Sequence, residues 1–296
     1  MRYSEPLLQR VGAGLLAVAL ISAPIIAARA EPVEQAMTTT GKDLSGFALT
    51  YDVYSGGFRA LRLGLTVGFE AEVGEAAPRY DTRIKMETSG LVGALFNWRF
   101  DASSVGAWRG DDVVPTRYHT ANVWRGNERE VAINYVDGVP GKVHAEPPYS
   151  AEDLAKVAPY IAPGVVDPTT AVTSLLMTSA LQGACRPQTA IYDGRRRYDA
   201  KLESLSARTL DRSSSAPFEG RAEGCRLTFQ RIAGFRPDRK RMQDLEVDIW
   251  LAEIGVAAGR VPVRLEMQTP WGAGFAHLVA ARDASGVLVF GEGDLD

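Results

Sequence analysis

Residues 61–69 (LRLGLTVGF) alternate between large apolar side chains and polar or small ones. Successive side chains of a β-strand point to opposite faces, so this alternation predicts a strand with one buried and one solvated face. Residues 80–87 (YDTRIKME) repeat the pattern after a short connection. Neighbouring strands that each keep one wet face are typical of an antiparallel sheet, which these two segments therefore predict.

Further strand-forming segments lie on both sides of this pair, separated by turn-forming residues. They are residues 48–55, 100–109, 117–125, 129–135, 189–192, 195–205, 225–232, 245–252, 261–269 and 275–282. Asp137 and Gly138 form a dipeptide typical of a tight hairpin. The sequence predicts a mainly β protein with minor α content. Its architecture is a large curved antiparallel sheet or incomplete barrel, with short central helices packed on one face.

The helices are predicted between the two β-rich halves. Ser150 is a favoured N-cap for a short helix through Lys156, which nearby prolines end. Asp167 and Pro168 start a second helix through residue 181, because Asp favours the N-cap and proline is tolerated in the first turn. One mostly apolar face of this helix holds Val172, Leu175, Leu176 and Ser179. We expect this face to pack on the sheet.

The N-terminus has the composition of a secretory signal peptide. Basic Arg2 and Arg10 precede an apolar run at residues 11–28, and Ala28-Arg29-Ala30 fits a cleavage site. An uncleaved inner-membrane anchor is the alternative, since about 18 apolar residues lie at the lower limit for a membrane-spanning helix.

The predicted organisation has three parts: a signal peptide at residues 1–30, a flexible lead-in at 31–46 and a single β-rich domain at 47–296. With 46% hydrophobic and 23% charged residues, the composition is that of a globular protein. A formal charge of −3 does not suit a nucleic-acid-binding surface. We expect a periplasmic protein that is soluble after signal removal.

The chain has two cysteines, Cys185 and Cys225. In an oxidising compartment such a pair most simply forms one structural disulfide, which would join the end of the second helix to a later strand. Two free thiols or a redox pair are the alternatives, although the Cys-x-x-Cys spacing that lowers a thiol pKa is absent. We expect no metal site, because His119, His144 and His277 match no ligand spacing.

Sequence motifs of the common enzyme classes are missing. The chain has no Gly-x-Ser-x-Gly elbow, no His-Glu-x-x-His, no phosphate-binding glycine loop and no dinucleotide fingerprint. Acid–base residues that are distant in sequence leave no local motif, so catalysis is not excluded. We therefore expect no cofactor and assign no catalytic residue.

Residues 192–199 (YDGRRRYD) form a basic segment between the cysteines. A two-residue turn at Asp193-Gly194 would place Tyr192 opposite Arg195, with Arg196 and Tyr198 on the inner face of the sheet. An inward Arg196 needs a partner because burying a bare charge is costly. Its partner is either a carboxylate, such as Asp193 or Glu266, or the anionic end of a bound amphiphile. A register slip by one residue would exchange the faces.

Residues 91–100 (LVGALFNWRF) interrupt the strand pattern with a run of large apolar side chains. The run could form a short helix or an apolar flap at the rim of the sheet. It serves either as a turn that fills the core or as an exposed apolar gate for a ligand. On the second interpretation, Phe96 and Trp98 are candidate ligand-binding residues together with Arg196 and Tyr198.

Five segments form an ordered pattern that covers most of the chain. They are YDVYSGGFRALRLGL at 51–65, DPTTAVTSLL at 167–176, YDGRRRYD at 192–199, Cys225, and VPVRLEM at 261–267. The pattern resembles the domain-of-unknown-function 3108 family of bacterial envelope proteins. That family has no established activity, so the resemblance implies no catalytic residue. It implies an exported β-rich protein, similar to the lipoprotein-carrier fold with its incomplete barrel around an apolar cavity.

Three functions remain open. The leading hypothesis is non-catalytic binding of a hydrophobic or amphipathic envelope component, such as a lipid. The second is a structural or interaction module that holds an envelope protein through an open sheet edge or the basic hairpin. The third is a hydrolase of an envelope polymer, which would need a cluster of carboxylates with raised pKa values in a cleft.

Overall fold

The computed structural model describes residues 44–70, 77–109, 112–182, 185, 188–235, 245–256, 258–269 and 272–291. The predicted signal peptide, the alternative membrane anchor and most of the predicted lead-in lie outside these residues. Within the described ranges, no helix has both the length and the apolar character needed to cross a membrane.

Seven strands form an antiparallel meander in the N-terminal half. They are β1 (Leu44–Ser55), β2 (Phe58–Glu70), β3 (Arg79–Thr88), β4 (Trp98–Arg109), β5 (Asp112–Trp124), β6 (Asn127–Val136) and β7 (Val139–Glu146). In β2, Leu61, Leu65 and Val67 are buried while Thr66 is exposed, as the alternation predicts. The apolar face of this strand therefore contributes to the core.

Seven more strands follow in the C-terminal half. They are β8 (Gln188–Tyr192), β9 (Arg197–Leu210), β10 (Gly220–Ala233), β11 (Glu246–Glu253), β12 (Arg260–Thr269), β13 (Gly272–Asp283) and β14 (Leu288–Gly291). Because β13 pairs with β1, both halves form one sheet in the order β7-β6-β5-β4-β3-β2-β1-β13-β12-β11-β10-β9-β8. This sheet is nearly closed and barrel-like, which confirms the predicted fold class.

Three short helices complete the described structure: α1 (Gly90–Leu95), α2 (Ala151–Val157) and α3 (Pro168–Gln182), with a 3₁₀ turn at Ala158–Tyr160. The Ser150 hydroxyl accepts a hydrogen bond from the N–H of Asp153 at 3.1 Å, which confirms the predicted N-cap of α2. Helix α3 contacts β3, β4 and β5 as well as β8 and β12. It therefore crosses the interior of the barrel.

The interior position of α3 buries more than its predicted apolar face. Leu176 is buried, but Val172 and Leu175 are only partly buried, whereas Thr169 and Thr173 have almost no exposure. The sequence predicts only one buried face because it does not show that the sheet curls around the helix. The enclosed hydroxyl groups need partners, and Thr173 donates to the Thr82 hydroxyl of β3 at 2.7 Å.

A disulfide joins Cys185 to Cys225, with the two Cα atoms 5.8 Å apart. This confirms the predicted pairing. The bond attaches the segment after α3 to β10, and it closes a loop of 40 residues. On the chain-entropy model such a loop stabilises the fold by about 4 kcal/mol.

Candidate functional site

Asp193 organises the turn between β8 and β9. Its Oδ1 accepts hydrogen bonds from the backbone N–H groups of Arg195 (3.0 Å) and Arg196 (2.7 Å). Its Oδ2 accepts one from Nε of Arg196 at 2.7 Å and lies 2.6 Å from Nη2. Of the two predicted roles of Arg196, the structure shows the ion pair with Asp193. Ligand binding by Arg196 stays a prediction.

This turn is longer than the sequence predicts. Tyr192 pairs with Arg197, whereas a two-residue turn would have placed it opposite Arg195. The Asp193 carboxylate is the cause, because it binds the N–H groups that follow it and so holds a wider turn. A shift by two residues leaves the faces of the strand unchanged, so Tyr198 is buried as predicted.

The β8–β9 turn also closes the barrel. Strands β7 and β8 are the two ends of the sheet, and Gly194 at the tip of the turn lies against Val131 of β6 and Val143 of β7. Gly194 has a φ of +91°, and an added Cβ would lie only 2.6 Å from Cγ1 of Val131. Arg195 donates to the Asp153 carboxylate of α2 at 3.1 Å. The basic segment therefore fastens one end of the sheet to the other.

Tyr198 packs beside this turn. Its ring meets Phe229 and Phe235 edge-on, with centroids 5.9 and 6.3 Å apart. The guanidinium of Arg196 lies 5.7 Å from the centroid of Phe235. The structure thus brings Arg196 and Tyr198 together, but Trp98 belongs to a different apolar cluster. The four candidate residues therefore do not form a single site.

A second polar cluster surrounds Asp167, which is fully buried before the first turn of α3. Its Oδ1 accepts a hydrogen bond from the N–H of Thr170 at 2.8 Å, as expected of an N-cap. Its Oδ2 accepts from the hydroxyls of Thr170 (2.6 Å) and Ser104 (3.0 Å). The Tyr80 hydroxyl lies 2.7 Å from that of Thr170. These contacts fix α3 against β3 and β4.

Burial raises the pKa of Asp167 to about 6, although its hydrogen bonds oppose the shift. Burial also raises the pKa of the nearby phenols of Tyr80, Tyr118 and Tyr135, and the charge of Asp167 adds to this effect. The Tyr135 hydroxyl is buried without a hydrogen-bond partner among the described residues. Asp167 is thus a buried carboxyl group that receives hydrogen bonds from hydroxyls and an amide, an arrangement suited to positioning a helix.

Phe96 and Trp98 lie in an aromatic cluster at one end of the barrel. Trp98 is buried, and its Nε1 donates to Oδ1 of Asn122 at 2.9 Å. It pairs with Trp124 of β5, so the two indoles share one face of the sheet. Phe96 follows α1 and stacks on Trp124 with the ring centroids 6.5 Å apart. Residues 91–100 therefore combine a short helix with inward aromatic groups.

Arg125 completes this cluster. Its guanidinium lies 5.4 Å from the centroid of Phe96 and 5.9 Å from that of Trp124. Arg125 is exposed, and no carboxylate within the described ranges pairs with it. We call Phe96, Trp98, Trp124 and Arg125 the aromatic rim.

The aromatic rim belongs to the end of the barrel that carries α1, here called the α1 end. Consecutive antiparallel strands place alternate turns at opposite ends, so the β1–β2, β3–β4 and β5–β6 connections share this end. The N–H of Ser89 donates to the carbonyl of Ala60 at 3.2 Å, and that of Arg125 to Asn97 at 3.5 Å. These bonds make the three connections one continuous surface.

The part of the chain that the structure describes contains no group of three or more His, Cys, Asp or Glu side chains able to hold a metal ion. The histidines lie on separate strands. His119 pairs with Glu130 at 2.5 Å. His277 is buried on β13, where burial lowers its pKa to about 4.

The sequence does not identify Ser104 or Arg125 as members of a site, and it identifies Asp167 only as a helix cap. The helix-cap signal is local and does not report burial. Arg125 directly follows Trp124, and the strand of Trp124 pairs with the strand of Trp98. This position is the only sequence signal for Arg125. Recognising that signal requires the register of the two strands.

The fold and these clusters define a barrel-like antiparallel β protein with an internal helix. The chain belongs to the family described as "Protein of unknown function (DUF3108)", whose model matches residues 50–279. A solved structure, a β-barrel-like protein of the domain of unknown function DUF1849 from Brucella abortus, is similar, with a TM-score of 0.43 and 11% identity. The match covers 81% of this chain and 98% of that one. No curated protein matches the chain.

Proposed function

We propose that this protein binds a hydrophobic or amphipathic component of the cell envelope, without catalysis, at the aromatic rim. The observation that carries the proposal is the rim itself. Phe96 and Trp124 stack on each other at the end of the barrel, and the exposed Arg125 covers both rings.

The rim suits an amphiphile with an anionic head. Aromatic rings offer a large apolar contact area at low entropic cost, and a guanidinium pairs well with a carboxylate or phosphate. Arg125 is the cation best placed for that role, because Arg196 already holds Asp193. The side chain of Asn122 accepts a hydrogen bond from the indole of Trp98 and so holds this buried ring in place.

The interior polar clusters support binding more than hydrolysis. Hydrolysis of a polymer by paired carboxyl groups needs two carboxyls whose environments separate their pKa values. Asp167 has a raised pKa, but its hydrogen-bond partners are Thr170 and Ser104, and the residue has no exposure to solvent.

Two features support the cell envelope as the location. The disulfide between Cys185 and Cys225 fits an oxidising compartment, where such bonds persist. The signal-like composition of residues 1–30 agrees with it. The bound component would therefore come from the envelope of a bacterial cell.

Mass spectrometry of organic-solvent extracts tests the proposal on protein isolated natively, without detergent. We expect a reproducible lipid or amphiphile. A fluorescent fatty-acid analogue should bind the same protein, and a Phe96→Ser/Arg125→Gln variant should bind it about tenfold more weakly. Tyr160→Ser, at another exposed aromatic, is the matched control. Protein that is empty in the extract and binds the analogue equally well in all variants contradicts the proposal.

A further inference from the structure

The two end strands of the sheet differ in how their edges are covered. β8 has a second neighbour, because Val166 forms an isolated parallel bridge to Ile191. The N–H of Val166 donates to the carbonyl of Ala190 at 2.9 Å, and the N–H of Tyr192 donates to that of Val166 at 2.8 Å. β7, in contrast, pairs only with β6 among the described residues. The other edge of β7 therefore presents backbone N–H and C=O groups that can pair with a further strand.

The β8–β9 turn does not cover this edge. Gly194 lies against the side chains of Val131 and Val143, which contact the core from β6 and β7. The turn thus closes the barrel through side chains on the inner face and leaves the backbone edge of β7 open. Val143 and Ala145 contact the core but are only partly buried, as is usual for an edge strand.

Two prolines define the length of the open edge. Pro140 and Pro147 have no N–H group, so the segment that offers both donors and acceptors spans residues 141–146 (GKVHAE). Alternate side chains of this segment are exposed on the outer face. They are Lys142, His144 and Glu146.

The charges of this segment are complementary to those of a second copy. Lys142 and Glu146 lie two positions on either side of His144. When two antiparallel copies of β7 pair with His144 opposite His144, each lysine faces the glutamate of the other copy. Opposite charges on directly opposed residues stabilise a strand pair. Neither charge has an ion-pair partner among the described residues, so both are available for this contact.

Other registers lose this match. A two-fold axis perpendicular to the sheet keeps the inner faces of both copies on one side, so opposed residues must share a face and one residue must lie on the axis. Centring on Val143 places lysine opposite histidine, and centring on Lys142 places two lysines opposite each other. Centring on Ala145 places Val143 opposite Pro147, which cannot donate a hydrogen bond. The segment therefore favours the register centred on His144.

We infer that two copies of this protein pair through the open edge of β7, in an antiparallel register centred on His144. The pairing would join two sheets into one and place Val143 of each copy opposite Ala145 of the other. Only residues 142–146 of each copy meet, so the interface is small and the dimer is weak. The inference is independent of amphiphile binding, because the aromatic rim lies on and beside β4 and β5.

Charge exchange tests the register on the full chain. Lys142→Glu alone, or Glu146→Lys alone, places like charges opposite each other at two positions of the dimer. We expect each to raise the dissociation constant about tenfold, as measured by sedimentation velocity over a range of protein concentrations. The double variant Lys142→Glu/Glu146→Lys restores both pairs and should return the constant to within about twofold of the wild type.

The control for this experiment is Lys85→Glu. Lys85 is exposed, but its strand β3 pairs on both sides, so the same change of charge should leave dimerisation unchanged. Circular dichroism of dilute, monomeric samples verifies that each variant is folded.

Cross-linking tests the centre of the pairing. Cys185 and Cys225 are bonded to each other, so one added cysteine is the only free thiol. In His144→Cys the two new cysteines lie directly opposite each other, and mild oxidation should yield a covalent dimer. Lys142→Cys is the control, because the two copies of position 142 would lie about 13 Å apart along the strands.

Three results would overturn the inference. The first is a protein that is monomeric at every concentration, which would leave the edge of β7 to a different partner. The second is association that responds equally to the single and double charge variants. The third is equal cross-linking of the two cysteine variants.

Discussion

Asp193 and Asp167 are both carboxylates in the interior of the protein, but their partners differ in kind. Asp193 faces the guanidinium of Arg196, three positions later in the same turn. Asp167 accepts hydrogen bonds from Thr170 and Ser104, and no basic side chain of the described residues pairs with it. The charge of Asp193 is compensated within its own turn. The hydrogen bonds to Asp167 come partly from Ser104, on a strand that is distant in sequence.

The comparison shows two ways of tolerating a buried acid. An ion pair keeps both charges, so removing one partner leaves the other uncompensated. A buried carboxyl group that is surrounded by hydroxyls instead has a raised pKa. The free-energy cost of burying it therefore varies with pH. The turn of Asp193 should therefore be sensitive to mutation, and the network of Asp167 should be sensitive to pH.

The largest expected effect is that of Arg196→Ala. It leaves the largely buried Asp193 without its cation, and we expect a loss of about 3–5 kcal/mol in the free energy of unfolding. Urea denaturation monitored by circular dichroism measures it. Lys142→Ala, at an exposed position of β7, is the control and should change stability by less than about 0.5 kcal/mol. A loss for Arg196→Ala as small as that of the control would contradict the importance of the ion pair.

Next in size is Gly194→Ala, which tests the packing of the same turn. The added Cβ meets Val131 at a positive φ, so we expect a loss of about 2–4 kcal/mol from backbone strain and overlap. Gly57→Ala is the matched control. Its φ is also positive, at +84°, but nothing lies within 4 Å of the new Cβ, so it should lose only about 1 kcal/mol. Similar losses for both variants would show that the turn does not press against β6.

A smaller effect is expected from the pH dependence of Asp167. Its pKa is about 6 in the folded protein and near 3.8 when unfolded, so the unfolded state binds fewer protons between these values. This group should therefore lower the free energy of unfolding by about 2 kcal/mol as the pH rises from about 4.5 to 7.5.

Asp167→Asn provides the comparison for that pH dependence. The amide keeps an oxygen for the N–H of Thr170 but does not titrate. Subtracting its urea-denaturation stability from that of the wild type at each pH isolates the contribution of Asp167. A difference that stays constant, or that favours the wild type more strongly at high pH, would refute the raised pKa.

The smallest expected effect is that of Tyr80→Phe. It removes one hydroxyl from the Asp167 network but leaves both side-chain donors to the carboxylate, so the expected loss is about 1 kcal/mol. Tyr160→Phe, at an exposed position, should be close to neutral. If Tyr80→Phe is neutral as well, the hydroxyl of Tyr80 does not help to hold α3.

The sequence by itself determined the features that depend on neighbouring residues. Alternation at residues 61–69 predicts a half-buried strand, the N-caps Ser150 and Asp167 begin helices, and an inward Arg196 meets Asp193 three residues away. Each of these depends on side-chain periodicity or on contacts within one turn, which the chain order alone specifies.

The tertiary structure alone decided the features that depend on closure of the sheet. Wrapping the sheet around α3 buries Asp167 and its threonines, which an isolated helix would leave solvated. The register between β4 and β5 puts Trp124 beside Trp98 and so adds Arg125 to the aromatic rim. Strands are joined by backbone hydrogen bonds, which nearly any sequence can form. The register between two strands therefore follows from the packing of the whole core.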